Sequence, residues 1–189
     1  MPEIFDDQTF VNADFAGKIV SGQKYENCIF KDCGLANFDL SHISFVDCRF
    51  VNCNMGLVKI VDSSLRNVAF SSCKLIGTDF SVCSASLLDI GFEKCILDFG
   101  NFAGLKLEKT KFMECSLKEA NFAGANLAHA IFDNCNLERT VFGGTNLFSA
   151  DLRNSVNYSI DPEANKIKKA KFSYSGILGL LNKYDIDVS

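Results

Sequence analysis

A large apolar residue returns at every fifth position for most of this chain. Phe30, Leu35, Leu40, Phe45 and Phe50 carry the beat in the first half; Phe92, Leu97, Phe102, Leu107 and Phe112 carry it in the second. A slower beat of 20 lies over it, in Cys33, Cys53 and Cys73 and then in Cys95, Cys115 and Cys135. A helix repeats at about 3.6 residues and a strand at about 2, so a period of five belongs to neither. Four five-residue units nested in a 20-residue turn describe a square coil wound on itself. Each turn then buries its core only against the turns above and below.

The two halves are out of frame by two residues, and the slip lies between Phe80 and Phe92 in SVCSASLLDIG. One unit there is expected to have seven residues, with the extra pair bulging at a corner. Two positions before each centre the residue is small or apolar, as at Cys28, Cys48, Val58, Ala120, Ala130 and Thr140. One bulky and one small inward residue per unit would fill a narrow square interior in interlocking layers. Between them Asp or Asn is frequent, as at Asp39, Asp79, Asn101 and Asn121, placed to hydrogen-bond corner backbone. Corners need tight turns, which favour Gly, Asn, Asp and Ser; Gly104, Gly124 and Gly144 recur at one of them. Stacked at about 4.8 Å per turn, the repeat gives a rod about 36 Å long. The expected division is 1–157 for the coil and 158–189 for a C-terminal capping and dimerisation segment.

Composition agrees with a filled interior. Phe numbers 18, Trp 0 and Pro only 2. All nine Cys fall on inward small positions, where a thiol serves as a small hydrophobe. The alternative is a stacked disulfide such as Cys33–Cys53, which parallel side-chain directions disfavour. There is no C-x-x-C, and His42 and His129 sit at outward corners, so no zinc site is expected. The start, Met1-Pro2-Glu3-Ile4, lacks the basic and apolar runs of an export signal, and a cytoplasmic location is expected. No apolar run approaches the length of a membrane span. Residues 1–159 hold 19 acids and 14 bases, and the remainder 4 acids and 5 bases. A mildly acidic rod argues against direct nucleic-acid binding, which needs a Lys/Arg surplus.

The beat fades after Asn154. Asp161-Pro162 reads as a turn, and Ile160, Ile167 and Phe172 as inward residues of a last irregular coil. A short α-helix is expected over about 175–184, capped by Ser173 or Ser175. Its apolar residues Ile177, Leu178, Leu180, Leu181 and Tyr184, with Ile186 and Val188 beyond, exceed what closing a rod requires. They would hide the open sheet edge and also meet a symmetry mate, making a homodimer.

The runs ANFAG-ANLAH-AIFDN-CNLER and TNLFS-ADLRN resemble the pentapeptide-repeat consensus A(D/N)LxX. The resemblance implies an all-β fold, a right-handed quadrilateral β-helix. The tail is similar to those of the Qnr, MfpA and microcin-immunity (McbG) members, in which an element after the coil forms a two-fold dimer. That resemblance further implies DNA mimicry toward a type II topoisomerase, DNA gyrase, with protection from a quinolone or a peptide toxin or inhibition of supercoiling. The projecting loops of Qnr proteins from Gram-negative bacteria are missing here.

Unit counting places Asp32, Glu93, Glu114, Asp133 and Asp151 on one face and Asp98, Glu119 and Glu138 on a second, where carboxylates could stand in for phosphates. Basic residues, among them Lys94, Lys118, Arg139 and Arg153, are interspersed. The alternative is a general interaction scaffold with no topoisomerase link, using outward Phe99, Met113, Ile131, Val141 and Phe148. No nucleophile–base pair, phosphate loop or metal motif is visible. No cofactor and no enzymatic activity are expected, and a filled coil has no cavity for a small ligand.

Overall fold

The computed structural model describes residues 3–12 and 22–187. The expected centres Phe15 and Val20, the small position Ala13 and the interface candidate Val188 lie outside the described residues.

The chain forms a parallel β-solenoid. One face is a seven-stranded sheet of β2 (Thr9–Val11), β4 (Ile29–Lys31), β6 (Arg49–Val51), β8 (Val68–Ser71), β9 (Ile90–Glu93), β10 (Lys111–Met113) and β11 (Ile131–Asp133). Bridges Ile131↔Asp151 and Asp151↔Lys171 carry this face two rungs further. Nine rungs at about 4.8 Å each span about 38 Å. A four-stranded sheet on the adjacent side holds β1 (Ile4–Asp6), β3 (Lys24–Glu26), β5 (Ser44–Val46) and β7 (Ser64–Arg66). The other sides are single-residue bridges. Asn101↔Asn121, Lys106↔Asn126, Lys111↔Ile131 and Ser116↔Asn136 follow one another five residues apart, one per side of the square.

The beat of five arises from the corners. Each corner needs one residue in the left-handed region, and the described chain meets that demand at Asn37, His42, Asp47 and Asn52 in succession, with φ of 62°, 60°, 54° and 53°. Gly104, Gly124 and Gly144 occupy it at φ of 70°, 67° and 65°. Asp and Asn before each centre lock the turn as expected: Asn121 Oδ1 accepts the Ala123 N–H at 3.0 Å, and Asp39 Oδ1 accepts that of Ser41 at 3.0 Å.

Inside, the bulky residues stack. Phe112 lies parallel to Phe92 and Phe132, with centroids at 5.3 and 4.8 Å. It also meets Phe102 and Phe122 edge-on from the opposite side, at 6.1 and 5.7 Å. Rings from opposite walls therefore interlock in the middle. An interior void of about 10 Å³ among Leu40, Phe50, Leu65 and Phe80 holds no ligand. The nine cysteines are free and buried; Cys48 Sγ donates to the carbonyls of Val46 and Tyr25 at 3.3 and 3.4 Å.

The frame slip resolves to a few residues. Ser84 N–H still bonds Ser63 O in the regular register, whereas Val68 N–H bonds Asp89 O and Val68 pairs with Ile90, already in the new frame. The two extra residues thus fall between Ser84 and Asp89. Leu87, in the left-handed region at φ 59° and 67 % exposed, marks the corner bulge.

The tail corrects one expectation. The segment after Ser175 is not an α-helix but two short 3-10 turns, Gly176–Leu180 and Asn182–Tyr184. Two glycines explain it. They disfavour a regular helix, and they let the backbone lie against Tyr158, where a Cβ on Gly176 or Gly179 would collide. Ile160 N–H reaches Gly179 O at 2.9 Å, so the tail hydrogen-bonds to the last coil. Ser173 caps the turn by accepting Gly176 N–H at 2.9 Å. Lys183 holds Asp161 and Glu163, each at 2.7 Å. Ile160 is buried, and Ile167 and Phe172 are half-buried against the core.

Candidate protein-interaction surfaces

With the interior filled, chemistry is confined to the outer walls and the ends. On the seven-stranded face, Glu93 and Asp133 end their strands facing out, Asp32 and Glu114 occupy the following corner at φ of 56° and 53°, and Asp151 begins the next rung but one after Lys111. On the neighbouring side Asp98 and Glu138 lie just before the corner, and Glu119 is at the corner with φ 55°. The rungs thus bring the acids together on the two expected faces.

Their charge is largely answered locally. Lys94 lies 4.0 Å from Glu93 and 3.9 Å from Glu114. Lys118 lies 3.5 Å from Glu138, and Arg139 lies 3.4 Å from Glu119. Asp151 takes Arg153 at 2.8 Å and Lys171 at 3.6 Å; the Arg153 hydrogen bond holds its carboxyl below the usual carboxylate range. Three acids differ. Asp32 and Asp133 accept the side-chain amides of Asn52 and Asn154, at 2.7 and 2.6 Å. Asp98 accepts Ser116 Oγ at 2.5 Å and Lys118 N–H at 3.0 Å. Among the described residues no cation makes ion-pair contact with these three.

At the C-terminal end Ile177, Leu178, Tyr184 and Ile186 are 50, 46, 49 and 56 % exposed. Leu180 and Leu181 are half-buried, and Leu180 packs against the core. A hollow of about 320 Å³ is lined by Leu178, Leu181, Asn182, Asp185 and Ile186. The end of the rod is therefore capped yet still apolar.

The outward apolar residues do not line up. Met113 and Ile131 lie on the seven-stranded face, whereas Phe99, Val141 and Phe148 fall on three other sides. The outward residues named for the scaffold alternative therefore form no single stripe, because the unit each belongs to decides its side. A feature the sequence reading missed is the group of bulky apolar residues at left-handed corners. Leu57 and Phe99, at φ of 55° and 61°, are 60 and 57 % exposed. Their place in the beat, where Asn, Asp or Gly is usual, was the available signal.

Among the described residues no group of His, Cys, Asp and Glu could hold a metal ion, and no helix is long and apolar enough to cross a membrane. Burial pushes the Cys48 and Cys83 thiols up to about 11. Cys95 is pushed up to about 12, first by its hydrogen bond with Cys115.

The family model for the pentapeptide repeat region matches residues 23–87 and 85–159, and the chain belongs to that family. Among solved structures, two trypsin-treated variants of QnrB1, a plasmid-mediated fluoroquinolone resistance protein, are similar. Each is 19% identical, with all of this chain covering 98% of that one, at TM-scores of 0.63 and 0.64. Comparison with curated proteins gives no match.

Proposed function

We propose that this protein is a non-enzymatic cytoplasmic rod. It would pair end to end through its C-terminal segment and bind a type II topoisomerase, DNA gyrase, giving immunity to a quinolone or a gyrase-directed toxin. The observation that carries this reading is the likeness to QnrB1 along the whole chain, tail included, since that protein confers fluoroquinolone resistance. The filled interior supports it too, because only walls and ends can meet a partner. Asp32, Asp98 and Asp133 would supply the phosphate-like charge, with the ion-paired acids around them setting register. Ile177, Leu178, Tyr184 and Ile186 would form the two-fold contact.

The test is a supercoiling assay with purified gyrase, with and without a fluoroquinolone. A shift in either condition at micromolar protein, lost on charge reversal of Asp98 and Asp133, supports the proposal. No effect in both conditions refutes it. Replacing exposed Ile177 and Leu178 with Asp should give monomers on a sizing column; a surviving dimer refutes the interface. A second reading, a general interaction scaffold with no topoisomerase link, is favoured by the local pairing of Glu93, Glu114, Glu119, Glu138 and Asp151. It predicts a fold-intact protein inert toward gyrase.

A further inference from the structure

One corner of the rod carries a duplicated motif. Lys106-Leu107-Glu108-Lys109-Thr110-Lys111-Phe112 returns as Lys166-Ile167-Lys168-Lys169-Ala170-Lys171-Phe172, 60 residues later. With 20 residues per turn and no slip between them, the copies superpose three rungs apart. The register states this directly. Lys106 connects through Asn126 and Asn146 to Lys166, and Lys111 through Ile131 and Asp151 to Lys171. Lys109, His129, Ser149 and Lys169 share the corner itself, at φ of 64°, 60°, 56° and 62°. Each triad therefore straddles the edge: one lysine before it, one at its apex and one beyond it. The triads are separated by about 14 Å.

Over residues 106–111, 126–131, 146–151 and 166–171, seven lysines face two acids, Glu108 and Asp151. The whole-chain charge of -4 averages this edge away. All seven lysines are exposed. Among the described ion pairs none involves Lys106, Lys109, Lys111, Lys166, Lys168 or Lys169. Lys171 shares Asp151 with Arg153, and Glu108 accepts the Asn126 amide. Between the triads lies an aromatic pair. His129 meets Phe148 edge-on at 5.5 Å, and Lys169 Nζ stands 5.9 Å from the Phe148 ring.

We propose that this edge binds single-stranded nucleic acid, the two lysine triads holding phosphates and the His129–Phe148 pair receiving bases between them. The gap has room for two or three bases at a stacking distance of about 3.4 Å. Stacking on aromatic side chains within a lysine-lined track is how sequence-tolerant single-strand binding works. A duplex or an acidic peptide would use the lysines and leave the rings idle. The proposal is independent of the topoisomerase reading and reverses the expectation drawn from overall charge.

The experiment is fluorescence anisotropy with a labelled oligothymidylate of about 12 nucleotides, at low salt and then across a salt series. Duplex DNA, polyglutamate and phosphatidylserine vesicles are run beside it. Six phosphate contacts predict a slope of log K against log salt near -4, at about -0.7 per contact on a single strand. Changing Lys106, Lys109 and Lys111 together to Gln should halve that slope. Phe148→Ala should weaken oligothymidylate about fivefold or more and leave the slope unchanged; circular dichroism verifies that each variant is folded. No binding at low salt overturns the proposal. So does equal or tighter binding of duplex, polyglutamate or vesicles, or a folded triple-Gln variant that binds like the parent.

Discussion

Phe112 meets four other rings in the aromatic core, and its removal measures how much the interlocked interior contributes. Its side chain is fully buried. Truncating a buried Phe to Ala costs about 3–5 kcal/mol in transfer and cavity terms. Here the cavity is bounded by four rings, two stacked and two edge-on. Each aromatic pair contributes about 0.5–1.5 kcal/mol beyond its buried area. Neighbouring turns cannot collapse into the gap, because the hydrogen-bonded rungs fix their spacing. Phe112→Ala should therefore lose about 5 kcal/mol, the upper end of the range. Phe112→Leu, which keeps most of the volume, should lose about 1.5 kcal/mol. Phe172→Ala is the control: that ring is half-buried and makes one tilted contact, with Tyr158 at 5.7 Å. It should lose about 1–2 kcal/mol. Equilibrium urea unfolding followed by circular dichroism reads all three. A loss under about 2 kcal/mol for Phe112→Ala, or one no larger than for Phe172→Ala, would refute the reasoning.

Phe99→Asn should stabilise the fold by about 1 kcal/mol, because Asn tolerates the left-handed corner that Phe occupies at φ 61°; an unchanged or lower midpoint in the same titration counts against it. The nine thiols should be silent to a thiol reagent near neutral pH in the native state and react together on unfolding, since burial and Sγ-to-carbonyl bonds hold them; a fast native-state fraction would contradict this. Asp161 and Glu163 are both held below the usual carboxylate range, first by Lys183. Their stabilisation is present above the ordinary carboxylate pKa and is lost as pH falls through the depressed values. Hydrogen-exchange protection at Ile160 and Leu181, whose N–H groups bond Gly179 O and Leu178 O, should therefore fall on acidification, and Lys183→Met should remove that dependence; a Lys183→Met variant with the parent's acid response would refute the clamp.

The coil was legible because its determinants are local. Each five-residue unit contains its own corner residue, its Asp or Asn lock and its two inward side chains, so Phe112 or Asn121 declares its place without reference to distant sequence. The slip was visible as a change of frame, but placing it between Ser84 and Asp89 needed the register of Val68 with Ile90. The tail was less legible. Apolar residues at helical spacing suggested an α-helix, while the close approach of Gly176 and Gly179 to Tyr158 is a tertiary fact. The side of the square on which an acid lies follows from its place in the unit, whereas the pairing of Glu119 with Arg139 or Glu138 with Lys118 depends on rotamers across rungs. The lysine edge went unread for a related reason: a net charge sums over all four sides, whereas a partner meets one.

The most direct measurement of the proposed role is competition for immobilised gyrase between this protein and a short DNA duplex, read by surface plasmon resonance. Mutually exclusive binding, weakened by charge reversal of Asp98 and Asp133 and by salt, is the predicted result. Simultaneous binding of protein and duplex, or no binding of the protein at all, would contradict it.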